Sequence, residues 1–252
     1  MNINKLADFF NSKMLKYRTK RHLVNIIGLF LGSEKRKKLR RLLTDNYDEL
    51  FAASKGIFFN VKTFNDLIKM QENHHLHDAS TRYFIENTLN RIAIKKDYVF
   101  LDAGCGTGYV LWKASSRFSK VVGIEYMSEL ADMAKANLKK LKVKNATVIN
   151  DDICNLKLRG EMDSINVVYM YNPFSGKIME TFIADIVASI YRKDRDVYII
   201  YINDVCKDIL KKYEAILPLK ELIEDKNWRD SRIYYHKKGQ INEQAADKFN
   251  SF

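Results

Sequence analysis

The run Val99-Phe100-Leu101-Asp102-Ala103-Gly104-Cys105-Gly106-Thr107-Gly108 constrains this chain more than any other stretch, because apolar strand-formers lead without a break into alternating glycines. A strand buried on both faces reads as a continuous apolar run. Glycine then permits backbone conformations closed to residues with a Cβ, so a ligand can come close to the main chain. The stretch therefore predicts a buried strand, a tight turn open to a cofactor, and a helix that opens after Gly108. A dinucleotide fingerprint G-x-G-x-x-G needs its third glycine where Tyr109 stands. Nicotinamide cofactors are thereby disfavoured.

Downstream, strands and helices alternate. Val121 to Glu125, Ala146 to Asn150, Ile165 to Tyr171 and Val197 to Ile202 have strand composition. Helical spacing recurs in Val110, Leu111 and Ala114, then in 128 to 141 through Leu130, Met133, Ala134, Leu138 and Leu141. It returns in 176 to 192 through Ile178, Phe182, Ile186 and Ile190. Alternation of this kind implies parallel pairing through right-handed crossovers, hence an α/β, doubly wound sheet. Leu219 to Ile223 and Arg232 to His236 supply two further strands, which makes seven. Ahead of the first strand, Ser80 or Thr81 is placed to cap a helix carrying Phe84, Ile85, Leu89 and Ile92, ending by Lys95.

Leu-Asp-Ala-Gly-Cys-Gly-Thr-Gly resembles motif I of the class I S-adenosylmethionine-dependent methyltransferases. Three more markers follow in that family's order: Glu125 closing the second strand, Asn150-Asp151-Asp152-Ile153, and Asn172-Pro173-Phe174 after the fourth. The resemblance covers roughly residues 98 to 203. It implies a mostly parallel, seven-stranded Rossmann-like sheet whose last strand is antiparallel, with S-adenosylmethionine as cofactor at the carboxyl ends of the strands. It also assigns cofactor contacts to Asp102, Gly104, Cys105, Gly106, Thr107, Gly108, Glu125, Tyr126, Asp152, Ile153 and Asn172. Glu125 takes both ribose hydroxyls, since an ionised carboxylate only accepts hydrogen bonds and can take two donors. Asp102 orders the loop or meets the amino group, and Asp152 meets the adenine amine.

Net charge is +12 over 252 residues, and its placement is uneven: residues 1 to 45 carry twelve basic side chains against three acidic ones. Leu6, Phe9, Phe10, Met14 and Tyr17, then Leu23, Ile26, Ile27, Phe30 and Leu31, recur at helical intervals. Two amphipathic helices are expected there, within a basic N-terminal extension over 1–70; residues 71–238 form the methyltransferase domain and 239–252 a tail. The apolar run from Leu23 to Gly32 is too short for the roughly 20 residues that span a bilayer. An apolar ridge flanked by lysine and arginine suits the surface of an anionic membrane, and equally a cap over the catalytic domain. A cytoplasmic protein, peripheral at the inner face of the membrane, is the expectation. Three cysteines without C-x-x-C spacing suggest neither disulfides nor zinc. His74, His75 and His77 lack helical ligand spacing, so no metal is assigned.

For catalysis, the Asn172 carbonyl is placed to aim an acceptor amine, while a sugar hydroxyl needs a base, for which His77 and Asp78 are the candidates. The run Lys-Arg-Lys-Lys-Leu-Arg-Arg-Leu after a short apolar stretch resembles N-terminal segments of bacterial surface-polysaccharide enzymes. It points to a glycan acceptor. Asn-Pro-Phe resembles the Asn-Pro-Pro-Tyr/Phe motif of amino methyltransferases acting on bases, and also the nucleosome-core lysine methyltransferases. Protein side chains, RNA or DNA therefore stay open as acceptors, as does a cofactor-binding assembly partner without turnover.

Overall fold

The computed structural model of the chain describes residues 57, 82–155, 158–213 and 231–241. Helix α1 (Arg82–Leu89) precedes β1 (Val99–Ala103), and then α2 (Tyr109–Ala114), β2 (Lys120–Glu125), α3 (Ser128–Lys140) and β3 (Ala146–Asn150) follow. The second half runs α4 (Leu158–Met162), β4 (Val167–Tyr171), α5 (Gly176–Arg192), β5 (Val197–Ile202), α6 (Lys207–Lys211) and β6 (Ser231–His236). Among the described residues the sheet has six strands, ordered β3-β2-β1-β4-β5-β6. The first four pairings are parallel and β6 joins β5 antiparallel, with Val197 opposite His236.

Order reverses between β1 and β4, so the crevice for a ligand falls outside the carboxyl ends of those two strands. The expected seven strands become six here because Leu219 to Ile223 lies outside the described residues; the antiparallel last strand is present. The paired amphipathic helices of 1 to 45, the histidine loop with His77 and Asp78, the Ser80 or Thr81 cap and residues 242 to 252 also lie outside them. From the 1–70 segment, Ile57 alone is described, and it is buried in the same apolar layer as Ile85 and Leu89.

Period-two alternation divides the strands between two apolar layers. Phe100, Val121, Val167 and Ile200 face one layer with α1 and α2; Leu101, Val122, Val168 and Ile199 face the other with α5. Helix α5 presents Met179, Phe182, Ile183, Ile186, Val187 and Ile190 as a fully buried stripe, which is why its sequence repeats at three and four. β4 starts at Val167, two residues later than the apolar run suggests. The cause is Asn166: its Oδ1 accepts from Val99 N at 3.1 Å and its Nδ2 donates to the Asp196 carbonyl at 3.1 Å, so it straps three strands instead of extending one.

The opposite end of the sheet is closed by carboxylates. Asp196 accepts from Lys95 Nζ and the Tyr98 hydroxyl, both at 2.7 Å, and from Lys238 N at 3.1 Å. Burial works against its ionisation, yet these donors outweigh burial and hold it well below the ordinary aspartate range. Arg195 is buried, and burial pushes it down to about 10. Its guanidinium stays satisfied by the carbonyls of Ile165, Met162, Ser189 and Lys193.

Candidate functional site

β1 delivers Asp102 to its carboxyl tip and the chain then turns through Gly104 (φ +78), Gly106 (φ +49) and Gly108 (φ +86), all left-handed. A Cβ on Gly104 would stand 2.9 Å from Pro173 Cβ, and one on Gly108 would stand 3.2 Å from Ala134 Cβ. The turn is thus pressed on one side against the β4–α5 connection and on the other against α3. Gly123, in the neighbouring strand, makes room for the same turn: a Cβ there would lie 2.7 Å from Cys105 Sγ.

Four amides of this turn are taken up within the protein. Gly104 N and Cys105 N both donate to the Ile124 carbonyl, at 3.0 and 2.9 Å, Gly108 N donates to Cys105 O at 2.9 Å, and Gly106 N donates to Glu125 Oε2 at 2.9 Å. With these amides occupied, the turn provides close approach, while the hydrogen-bonding capacity of the site comes from carboxylates. Thr107 is buried beside them, its carbonyl accepting from Asn137 Nδ2 at 3.0 Å.

Glu125 ends β2 and is buried; its Oε1 accepts from Met127 N at 3.0 Å. Each carboxylate oxygen therefore uses one lone pair on the backbone and keeps one. Asp102 is 3% exposed, and its Oδ2 has no hydrogen-bond partner. Burial, then the charge of Glu125, raises the Asp102 carboxyl well above the ordinary aspartate value. An unpartnered acidic oxygen in such a place is expensive to bury unless something cationic or proton-donating meets it. Burial first, then Asp102 and Glu125, also push the Cys105 thiol well up, so Cys105 packs as a small apolar side chain.

At the tip of β3, Asn150 Nδ2 donates to the carbonyls of Glu125 and Tyr126, both at 2.9 Å. Asp151 Oδ1 accepts from Asp152 N at 2.9 Å and from Asn155 Nδ2; Asp152 Oδ1 accepts from Cys154 N at 2.9 Å. Ile153 is buried beside them, and Tyr126 is the most exposed aromatic of this region, at 51%. On the other side of β1, Asn172 follows β4 with φ +40, its N–H bonded to the Ile202 carbonyl at 3.1 Å and its buried Oδ1 without a partner. Phe174 anchors the connection, edge-on to Phe182 at 5.5 Å.

Asp102, the glycine turn, Glu125, Tyr126, Asp152, Ile153 and Asn172 therefore all sit at carboxyl ends of neighbouring strands. The Gly104–Pro173 contact brings the first and last markers together. His77 lies outside the described residues. Sequence reasoning missed Asn137, which ties α3 to the turn. Its signal was present: a polar residue on the inward stripe between Ala134 and Leu138. It also missed Asn203, at the tip of β5 with φ +57, whose left-handed backbone has no sequence mark because asparagine is common in loops.

Residues 94–249 match the protein family described as a methyltransferase domain. A 62-residue segment is 31% identical to the Methanocaldococcus jannaschii protein named "Probable cobalt-precorrin-6B C(15)-methyltransferase (decarboxylating)", covering 25% of this chain and 34% of that protein. The match thus spans about a third of the curated relative's length. Among solved structures, a SAM-dependent methyltransferase from Aquifex aeolicus is similar at 16% identity and TM-score 0.49, over 63% of this chain and 94% of that one. A precorrin-6y C5,15-methyltransferase from Geobacter metallireducens GS-15 is similar at 19% identity and TM-score 0.47, over 64% and 91%.

Proposed function

This chain belongs to the methyltransferase domain family, and from that premise we propose that it is an enzyme transferring a methyl group from S-adenosylmethionine to an acceptor over the tips of β1 and β4. The observation that carries the reading is the pair of buried carboxyls, Asp102 with an oxygen lacking any partner and Glu125 with spare lone pairs, flanking a turn that admits close approach. Such a cradle fits a ligand that is cationic and carries vicinal hydroxyls. When bound, S-adenosylmethionine supplies an electrophilic methyl group on a positively charged sulfur.

The chain's own residues then divide the work. Glu125 accepts from the ribose hydroxyls, Asp102 faces the cationic end, Tyr126 and Ile153 flank the adenine ring and Asp152 accepts from its amine. Asn172 lends its carbonyl to the acceptor's N–H or O–H. Methyl transfer is an in-line displacement, so holding the partners aligned supplies a large part of the rate.

For the acceptor, the basic N-terminal run and its likeness to surface-polysaccharide enzymes support a sugar of such a polysaccharide or its precursor, with His77 as the base. Residues 1–45 then rest on the inner face of an anionic membrane; no helix among the described residues is long and apolar enough to cross one. One observation favours a second reading. An amide carbonyl such as Asn172 Oδ1 accepts a hydrogen bond but is no base, which suits an amine that needs alignment without deprotonation, as on a protein side chain or a nucleobase.

Mass spectrometry of envelope glycans from cells with and without the gene tests the first reading: the loss of one methyl group from a glycan is expected. Unchanged glycans, with a methyl lost from protein or RNA, would transfer the acceptor to the second. Asn172→Ala should bind cofactor normally and lose turnover; full activity would end the role given to Asn172.

A further inference from the structure

The connections at the two ends of the sheet differ in charge. Among the described residues, the connections at the carboxyl ends (104–108, 126–127, 151–155, 172–175 and 203–206) contain Asp151, Asp152 and Asp204, the last paired with Arg232 of β6, and no lysine or arginine. At the amino ends, the connections 90–98, 115–119 and 141–145 carry Arg91, Lys95, Lys96, Arg117, Lys142 and Lys144 against Asp97, whereas Asp163, Asp194 and Asp196 lie in the connections before β4 and β5. Asn145 Nδ2 donates to Ser115 O at 2.9 Å and Phe118 O at 3.0 Å, which draws the α3–β3 connection against the α2–β2 connection. Exposed Lys139, Lys142 and Lys144 thereby join exposed Arg117, whose guanidinium bonds Asn90 on the adjoining α1–β1 connection beside Arg91 and Lys96.

Helix stability explains only part of this. Lysine at the C-terminal end of α3 suits the helix dipole, which accounts for Lys139. Lys142 and Lys144 lie beyond the helix. Lys142 also adopts φ +59, closing the helix through Lys142 N to Lys139 O and Val143 N to Leu138 O, both 3.0 Å. Glycine takes that backbone without penalty and lysine does not. A charged side chain is held where local stability prefers none.

We propose that this basic plate, centred on Lys139, Lys142 and Lys144, is a docking surface for an anionic lipid bilayer, independent of residues 1–45, and that it turns the acidic crevice toward the aqueous side. A flat lysine surface acts by summed attraction to headgroups. The large hydrophobic side chains most exposed among the described residues, Tyr126 and Val205, sit at the opposite end, and Trp112 beside the plate is half-buried with Lys113 over its ring at 4.2 Å, so stacking of bases is disfavoured there. A nucleic acid held there would also have to reach a site about 17–20 Å away, past strand tips whose acids repel phosphate.

The test uses the full chain and vesicles of equal parts phosphatidylcholine and phosphatidylglycerol, read by flotation at low salt. Each lysine near such a surface contributes about five-fold in binding, equivalent to ~1 kcal/mol. Lys139→Gln/Lys142→Gln/Lys144→Gln should therefore weaken flotation on the order of a hundred-fold, and the corresponding glutamate variant further. Both should keep their S-adenosylmethionine affinity and lose no more melting temperature than the small dipole contribution of Lys139, whereas a failure of the cofactor reading shows in calorimetry of the unaltered chain. Undiminished flotation overturns the proposal. So does an equal loss from Lys211→Glu/Lys212→Glu at the far end of the sheet, which would indicate net charge alone. Retention on RNA, lost in the triple variant, with no vesicle binding would overturn it in favour of a nucleic-acid surface.

Discussion

Replacing Gly104 by alanine should unsettle the fold and the site together, because two separate costs meet at one atom. At φ +78 a Cβ costs about 1–2 kcal/mol through its clash with the chain's own backbone. The same Cβ would stand 2.9 Å from Pro173 Cβ, a ring with no soft torsion to yield, and overpacking of this kind adds roughly 1–3 kcal/mol. Together the loss should be about 2–5 kcal/mol, a fall in melting temperature of roughly 4–20 °C for a domain of this size. Gly176→Ala is the internal control: its φ is +57 but nothing lies within 4 Å, so only the backbone part applies. A double-mutant cycle in urea isolates the contact. Gly104→Ala and Gly104→Ala/Pro173→Gly, each referenced to its parent, should differ by a coupling of at least about 1 kcal/mol. Contacting residues show such coupling and independent ones add within roughly 0.5 kcal/mol. Simple additivity would mean the glycine turn and the Asn-Pro connection do not touch, and the account of how the site is assembled would fail.

Two further substitutions read local chemistry. Asn203→Gly relieves a left-handed backbone at φ +57 and should stabilise the protein by up to about 1 kcal/mol in urea unfolding; a lower midpoint would show that the side chain holds the turn. For Asp102, burial and Glu125 raise the folded carboxyl above its unfolded value of about 3.9. The unfolded chain therefore releases its proton first, and the ligand-free protein loses stability as pH rises from about 4 toward the folded pKa. A cationic ligand favours the ionised form, so S-adenosylmethionine binding should release a proton and tighten with rising pH. Calorimetry in buffers of different ionisation enthalpy measures that proton directly. Asp102→Asn should raise the ligand-free melting temperature at neutral pH and remove the proton release; buffer-independent heats in the unaltered protein would refute the linkage.

Much of this architecture is legible in the sequence because its signals are local. Ala146–Asn150, Gly176–Arg192 and Val197–Ile202 are bounded in the structure as apolar periodicity bounds them. The site markers were legible for a similar reason: glycines that must take positive φ and acids that end strands leave single-residue traces. What escaped depends on tertiary partners. Asn166 shortens β4 because it bonds to Val99 and Asp196, residues far away in the chain. The short helices α4 and α6, five residues each, have too few turns for periodicity to mark them. Which turn amides stay available to a ligand was equally hidden, since it depends on the Ile124 carbonyl of the next strand.

Titration calorimetry of S-adenosylmethionine into the unaltered chain and into Glu125→Ala tests the central claim most directly. Hydrogen bonds to a charged acceptor contribute about 1.5–3 kcal/mol each, so losing the carboxylate that takes both ribose hydroxyls should weaken binding on the order of a hundred- to ten-thousand-fold. Equal affinity in the two proteins, or no heat of binding to the unaltered chain, would contradict the site described here.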